Sequence, residues 1–294
     1  MASEGRGWLV GCSIFLVLLV TGGAILVLSA LLVSEDELNL PQRGPKVGVV
    51  EIFGVLGEND DVLAQLDRLE NESSVEALVL HIDTGGGAVG TVQRIIARLD
   101  DFASEGMPIV AALDNVAASG GYYIATAADS IFALPGTLTG SIGVIASFPD
   151  FSGLMKRVGV DVQVVKTGQQ KDAGAPYRAL SDEERKWMQT VLDDVGEQFM
   201  DAIASSRGLS IDAVREVADG RIFSGRMAME SGLVDRLAGL EEAVEVAAAM
   251  ANIEGEPVVI RKHVRRPLWE RLIGGRLGGG SLLRQRPQLE YRWR

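Results

Sequence analysis

Ser119 stands between two alanines and two glycines, in Asn115-Val116-Ala117-Ala118-Ser119-Gly120-Gly121-Tyr122-Tyr123. The apolar run Ile109–Leu113 leads into it. An Ala-rich stretch predicted to be helical, Tyr122–Ala128, leads out. A serine at such a strand–turn–helix junction presents its hydroxyl beside helix N–H groups that lack an intrahelical acceptor. The arrangement suits nucleophilic acyl transfer, and it needs a base to take the hydroxyl proton.

Bases are few. The chain has two histidines and one cysteine. His81 lies in the apolar run Ala77–Ile82, a predicted buried strand, and reads as a hydrogen-bonded structural residue. His263 lies in a basic, Gly-rich tail. Neither has an Asp or Asn nearby to suggest a triad, and partners distant in the sequence stay open. Cys12 lies in a membrane-like segment, so a Cys nucleophile, a Cys-rich zinc site and an intramolecular disulfide drop out. A Ser–Lys dyad becomes the leading mechanism. A lysine works as a base only when neutral, so its ordinary pKa of about 10.4 must fall, through burial or nearby positive charge. Lys166 and Lys171 flank a Gly turn in Lys166-Thr167-Gly168-Gln169-Gln170-Lys171-Asp172. Spacing alone does not separate either from a solvated surface charge.

Five ordered motifs carry a resemblance. They are Asp83-Thr84-Gly85-Gly86-Gly87, Ala117–Tyr123, Thr139-Gly140-Ser141-Ile142-Gly143-Val144, Lys166–Asp172, and Ala218–Gly225 followed by Gly232-Leu233-Val234-Asp235. Over about residues 46 to 250 the chain resembles the signal peptide peptidase A family, membrane-anchored Ser–Lys peptidases related in fold to Clp protease and the crotonases. The resemblance implies Ser119 as nucleophile, Lys171 as general base and Ser141 as the serine that hydrogen-bonds the lysine. It also implies an oxyanion hole of backbone N–H groups, placed at Gly86 and Gly120. The family usually has Asn-Ser-Pro-Gly-Gly where this chain has Asp83–Gly87, which leaves Gly87 as the alternative to Gly86. No cofactor or metal is implied. Related enzymes form rings or domes, so a homo-oligomer with active sites near subunit boundaries is expected. Such a boundary leaves two arrangements open, with Ser119 and Lys171 of one site on the same chain or on neighbouring chains. The implied substrates are peptides: released signal peptides and other apolar, membrane-derived segments.

Two rival readings accompany this one. Gly85-Gly86-Gly87-Ala88-Val89-Gly90 is a literal G-x-G-x-x-G between a predicted strand and a predicted helix, with Asp114 at the end of the next strand. That pattern resembles a dinucleotide fingerprint, but it leaves Ser119, Ser141 and Lys171 unused. The other rival is a catalytically silent peptide-binding membrane scaffold on the same fold.

Residues 7–34 contain no charged side chain, and Trp8–Val33 is long enough to span a bilayer core of about 30 Å. No small-residue cleavage site follows before Glu35, so an uncleaved single-pass anchor is expected. Arg6 precedes the span and Glu35-Asp36-Glu37 follow it. The positive-inside rule then puts the bulk of the chain outside the cytoplasm, facing away from cellular NAD. Net charge is −12, yet residues 261–294 carry ten Lys/Arg against two Asp/Glu. The acidic body argues against nucleic acid as a partner. The basic tail reads as flexible, with lipid headgroups or the chain's own acidic body as its candidate contacts.

These signals divide the chain into a 1–34 anchor with a short leader, a 35–45 linker, a 46–255 peptidase domain and a 256–294 tail. Predicted strands are Val47–Val55, Glu76–Asp83, Ile109–Asp114, Ser130–Leu134, Ile142–Ala146 and Val162–Thr167, alternating with helices. The fold class is α/β, a Clp/crotonase-like domain of stacked, mostly parallel strands with flanking helices. A capping-box sequence, Ser181-Asp182-Glu183-Glu184, opens a long helix whose packing positions are Met188, Val191, Leu192, Val195, Phe199 and Ile203.

Overall fold

The runs Val47–Ile52, Ala77–Ile82 and Ile109–Leu113 are apolar at almost every position, the pattern of strands covered on both faces. They form the centre of a sheet in the computed structural model, which describes residues 17–23, 44–57, 61–261 and 290–292. The elements begin with β1 (Lys46–Phe53), α1 (Asp61–Glu70), β2 (Val75–Thr84), β3 (Gly86–Ala88), α2 (Val89–Ser104) and β4 (Ile109–Ala118). Next come α3 (Gly120–Ala125), β5 (Ser130–Ala133), β6 (Leu138–Gly140), α4 (Ser152–Val158) and α5 (Asp182–Arg207). After these follow α6 (Ile211–Val217), β7 (Ile222–Ser224), α7 (Gly225–Glu230), β8 (Arg236–Leu237), α8 (Leu240–Met250), β9 (Val258–Arg261) and β10 (Glu290–Arg292).

The sheet is mixed but mostly parallel. β9, β1, β2 and β4 pair in parallel in that order. β4 then has two neighbours on its far side. Val110–Leu113 pair with β5, whereas Val116–Ala118 pair with β6, and β7 closes that edge antiparallel. The switch coincides with an irregularity beyond Ile82 and Leu113 in the β2–β4 register. The Asp83 carboxylate holds it, accepting from the Val116 N–H at 3.1 Å and the Asn115 amide at 3.3 Å. Leu78, Leu80 and Ile82 point into one core with Ile95 and Leu99 of α2, Tyr122 of α3 and Phe199 of α5. Ala77 and Val79 point into a second core with Ala243 and Ala247 of α8. Helices thus cover both faces, as the α/β reading expects.

Three expectations change. The predicted strand Ile142–Ala146 does not form: β6 ends at Gly140, Ser141 turns to φ 51°, and Ile145 makes an isolated bridge. The predicted strand Val162–Thr167 has the β-branched composition but no strand partner among the described residues, and all six residues are exposed. Composition marks a segment that can pair, and pairing needs a neighbouring backbone edge. The tail, expected to start at residue 256, gives Val258–Arg261 to the sheet beside β1, with Ile260 packed on the core. β10, within the same tail, pairs antiparallel with β3. Residues 262–289 lie outside the described residues.

The anchor assignment lies largely outside them too. Residues 17–23 are helical. Among the described residues no helix is long and apolar enough to cross a membrane.

Candidate active site

Ser119 sits where β4 ends and α3 begins, with φ 53° and ψ −116°. L-residues rarely adopt this backbone, and here it turns the chain sharply from strand to helix. The Ser119 N–H donates to the Gly140 carbonyl at 2.8 Å, and its own carbonyl accepts from the Tyr123 N–H at 2.9 Å. Ser119 is only 1% exposed. Gly121 follows because β2 passes close: a Cβ there would lie 2.8 Å from Thr84 Cγ2 and 2.9 Å from the Thr84 carbonyl oxygen. Tyr122 fixes the helix from below, its hydroxyl donating to the Leu233 carbonyl at 2.8 Å. Burial pushes that phenol's pKa well up. Tyr123 stacks on Phe199 of α5 with ring centroids 4.4 Å apart.

Ser141 stands at the matching position one strand away. Ala118 pairs with Gly140, so the two serines follow paired residues of parallel strands. Ser141 is also mostly buried, and its N–H donates to the Arg221 carbonyl at 2.8 Å. The glycine turn is a short strand rather than an open loop. Gly87 lies against Leu56, where a Cβ would fall 1.9 Å from the Leu56 carbonyl oxygen. On its other edge Gly87 pairs with Tyr291. A phosphate-cradling loop is not what these residues build, and the dinucleotide reading loses its central feature.

The two suggested oxyanion donors differ. Gly120 is the first residue of α3, where N–H groups have no intrahelical acceptor. The Gly86 N–H already donates to Thr84 Oγ1 at 3.0 Å.

Lys171 makes no hydrogen bond to this group. It sits in a single 3₁₀ turn, Gln169–Asp172, is exposed, and its amine has no hydrogen bond or ion pair among the described residues. Its neighbour Asp172 is heavily engaged. The carboxylate accepts from Lys166 Nζ at 2.5 Å, Tyr177 OH at 3.1 Å, and Arg178 Nε and Nη2 at 3.1 and 2.6 Å. Arg178 also reaches Glu184 in the first turn of α5, at 2.5 and 2.8 Å. Glu184 belongs to the predicted capping box, accepting from the Ser181 N–H at 2.8 Å while its own N–H donates to Ser181 Oγ at 3.2 Å. Arg178, then Lys166, hold the Asp172 carboxyl well below the usual carboxylate range. Arg178, then the Ser181 N–H, bring Glu184 down to about 2.

Sequence reasoning missed one pairing. His81 Nε2 lies 3.2 Å from Asp114 Oδ2, and Phe53 meets the imidazole edge-on. The two residues are 33 positions apart on adjacent strands, so no local spacing could show it. They border a hollow of about 240 Å³ with Leu134 and Gly239–Glu241, and Ser119 is not among its walls. Among the described residues, no serine hydrogen-bonds this histidine–aspartate pair as a triad needs.

Residues 101–254, which include the elbow, Ser141 and the Lys171 turn, match the model of peptidase family S49. A Synechocystis sp. protein named as a protease is 40% identical over 233 residues, covering 78% of this chain and 83% of that one. An Enterococcus faecium protein named as signal peptide peptidase SppA is 36% identical over 226 residues, 72% of this chain and 66% of the other. The chloroplastic serine protease SPPA of Arabidopsis thaliana is 31% identical over 209 residues, 71% of this chain but 31% of that longer protein. An elbow serine inside a matched domain and relatives bearing protease names converge on one conclusion: the chain belongs to the S49 family, and it is a serine peptidase of the signal peptide peptidase A kind.

Proposed function

We propose that this peptidase is a membrane-anchored endopeptidase with a Clp/crotonase-like domain, that it uses a Ser119–Lys171 dyad, and that it acts outside the cytoplasm on released signal peptides and other apolar membrane-derived segments. The observation that carries the reading is the elbow: Ser119 is held at φ 53° between β4 and α3, beside Ser141 and the N–H groups that open α3. In the mechanism, the neutral Lys171 amine takes the Ser119 hydroxyl proton as the oxygen attacks the peptide carbonyl. The Gly120 N–H and an N–H of the Gly86–Gly87 turn hold the oxyanion. The intermediate collapses to an acyl-enzyme, and the leaving amine takes the proton from Lys171. Water, deprotonated by Lys171, then releases the acyl group. Ser141 orients the amine.

A second copy of the chain completes the site in this reading. Lys171 is exposed, and the segment before it carries exposed Val160, Val162, Val164 and Val165. An unpaired, β-branched segment is suited to a neighbouring subunit. Labelling with a fluorophosphonate or peptide-aldehyde probe tests the dyad. Labelling lost in both Ser119→Ala and Lys171→Ala supports it; full labelling and turnover in Lys171→Ala would remove the lysine from the mechanism. A silent scaffold predicts no labelling at all. Mixed oligomers of the two inactive variants test the sharing: regained activity supports it, and none despite confirmed mixing counts against it.

A further inference from the structure

The carboxylate next to the proposed base poses a problem. An anionic Asp172 beside Lys171 favours the ammonium form, which cannot accept a proton. The structure places two cations on that carboxylate: Lys166 at 2.5 Å and Arg178 at 2.6 Å. Arg178 is itself shared with Glu184 at 2.5 Å. We propose that Asp172 and Arg178 are positioning residues for the base: their ion pair ties the Lys171 turn to the first turn of α5 and withdraws the Asp172 charge from the Lys171 amine. The proposal rests on Lys171 being the base.

The mechanical half of this follows from connectivity. Arg178 Nη2 also donates to the Asp172 carbonyl at 3.1 Å, so the guanidinium grips the backbone of the turn as well as the side chain. Its planar fork spans two carboxylates at once, which a lysine ammonium does not reproduce. At the other end, Glu184 is locked by the capping box. Further along the same 26-residue helix, Phe199 packs on Tyr123, four residues after Ser119. The turn that carries the base is thus tied, within one chain, to the helix that stacks on the helix following the nucleophile.

The electrostatic half gives a signature. Groups around the turn are Lys166, Asp172, Tyr177, Arg178 and Glu184, with Asp150 and Arg185 bordering the same hollow as Arg178. Removing Arg178 leaves Asp172 and Glu184 less compensated. A base beside them then stays protonated to higher pH. Removing the Asp172 charge leaves Lys166 and Arg178 in excess, and the base deprotonates at lower pH.

The test is the pH dependence of kcat/KM on a peptide substrate, using the full-length protein. Arg178→Gln is expected to move the acidic limb to higher pH, and Asp172→Asn to lower pH, each by roughly half a unit or more. Arg178→Lys retains charge without the fork, so it lowers kcat while leaving the limb near its original pH. Limbs that stay in place in both neutralised variants, with the fold intact by hydrogen exchange, overturn the proposal. Loss of activity with no opposed shifts makes the network merely structural. If either variant fails to fold, the Arg178→Lys profile and Glu184→Gln, expected to leave the limb unmoved or slightly lowered, still decide: a limb raised in both overturns it. Should Lys171→Ala retain activity, the base assignment itself fails, a result distinct from unshifted limbs in an enzyme that Lys171→Ala inactivates.

Discussion

At φ 53° and ψ −116° the Ser119 backbone occupies a region that glycine enters freely and serine does not. Such strain costs roughly 1–3 kcal/mol, and glycine's extra chain entropy returns roughly 0.5–1 kcal/mol of that cost when the residue is exchanged. Ser119→Gly should therefore raise unfolding stability by about 1 kcal/mol while abolishing turnover, whereas Ser119→Ala keeps the strain and loses only the chemistry. Denaturant midpoints of the two variants check this, and a Ser119→Gly midpoint below that of Ser119→Ala would mean the elbow stores less strain than glycine's entropy costs. The opposite expectation holds at Gly87. A methyl there meets the Leu56 carbonyl oxygen at 1.9 Å, so Gly87→Ala must displace the Gly54–Gly57 turn and destabilise by roughly 1–3 kcal/mol. The types and order of Ser119, Ser141 and the glycines were legible in the sequence. Their backbone angles, and the His81–Asp114 pair, were not, because both depend on how strands far apart in the chain come to lie side by side.

At the scale of elements, continuous apolar runs located β1, β2, β4 and β5 well; shortness and Val/Ile content, rather than periodicity, separate them from buried helix. Short strands such as β6 and β7, three residues each, carry too little pattern to see. Val162–Thr167 shows the converse error: good strand composition with no edge to join among the described residues. The start of α5 was read correctly because its signal is local, a capping box complete within Ser181–Glu184. What the sequence could not show is that Glu184 also receives Arg178. That pairing gives α5 a pH dependence. Glu184 is held at about 2 against an ordinary 4.5, so its contribution is complete above pH 4.5 and is lost as pH falls towards 2. Asp172, lowered in the same direction, loses its contribution in the same acid range. Amide protection in the first turn of α5 should drop across that interval, and the drop should be shallower in Arg178→Gln. A first turn whose protection is indifferent to acid would mean that the capping hydroxyl alone sustains it.

For the whole molecule, the basic C-terminal segment was read as flexible, with the chain's own body among its candidate contacts, and its last strand meets the body beside the elbow. Glu290, Tyr291 and Arg292 face Ala88, Gly87 and Gly86 in antiparallel register. Leu56 holds the other edge of β3, so β10 takes the edge that remains. Extended peptides bind by adding a strand to such an edge, with main-chain hydrogen bonds supplying affinity without regard to sequence. A substrate that runs along β3 to reach Ser119 therefore competes with the enzyme's own β10. The competitor is tethered, and tethering raises its effective concentration to the order of millimolar. Ending the chain before Glu290 should then lower KM for a peptide substrate by about two- to ten-fold with kcat unchanged, because the hydroxyl and its base are untouched. Adding back a synthetic peptide of residues 284–294 should restore the higher KM competitively. A KM indifferent to both manipulations would place the substrate's path away from β3, and with it the Gly86–Gly87 turn outside the oxyanion hole.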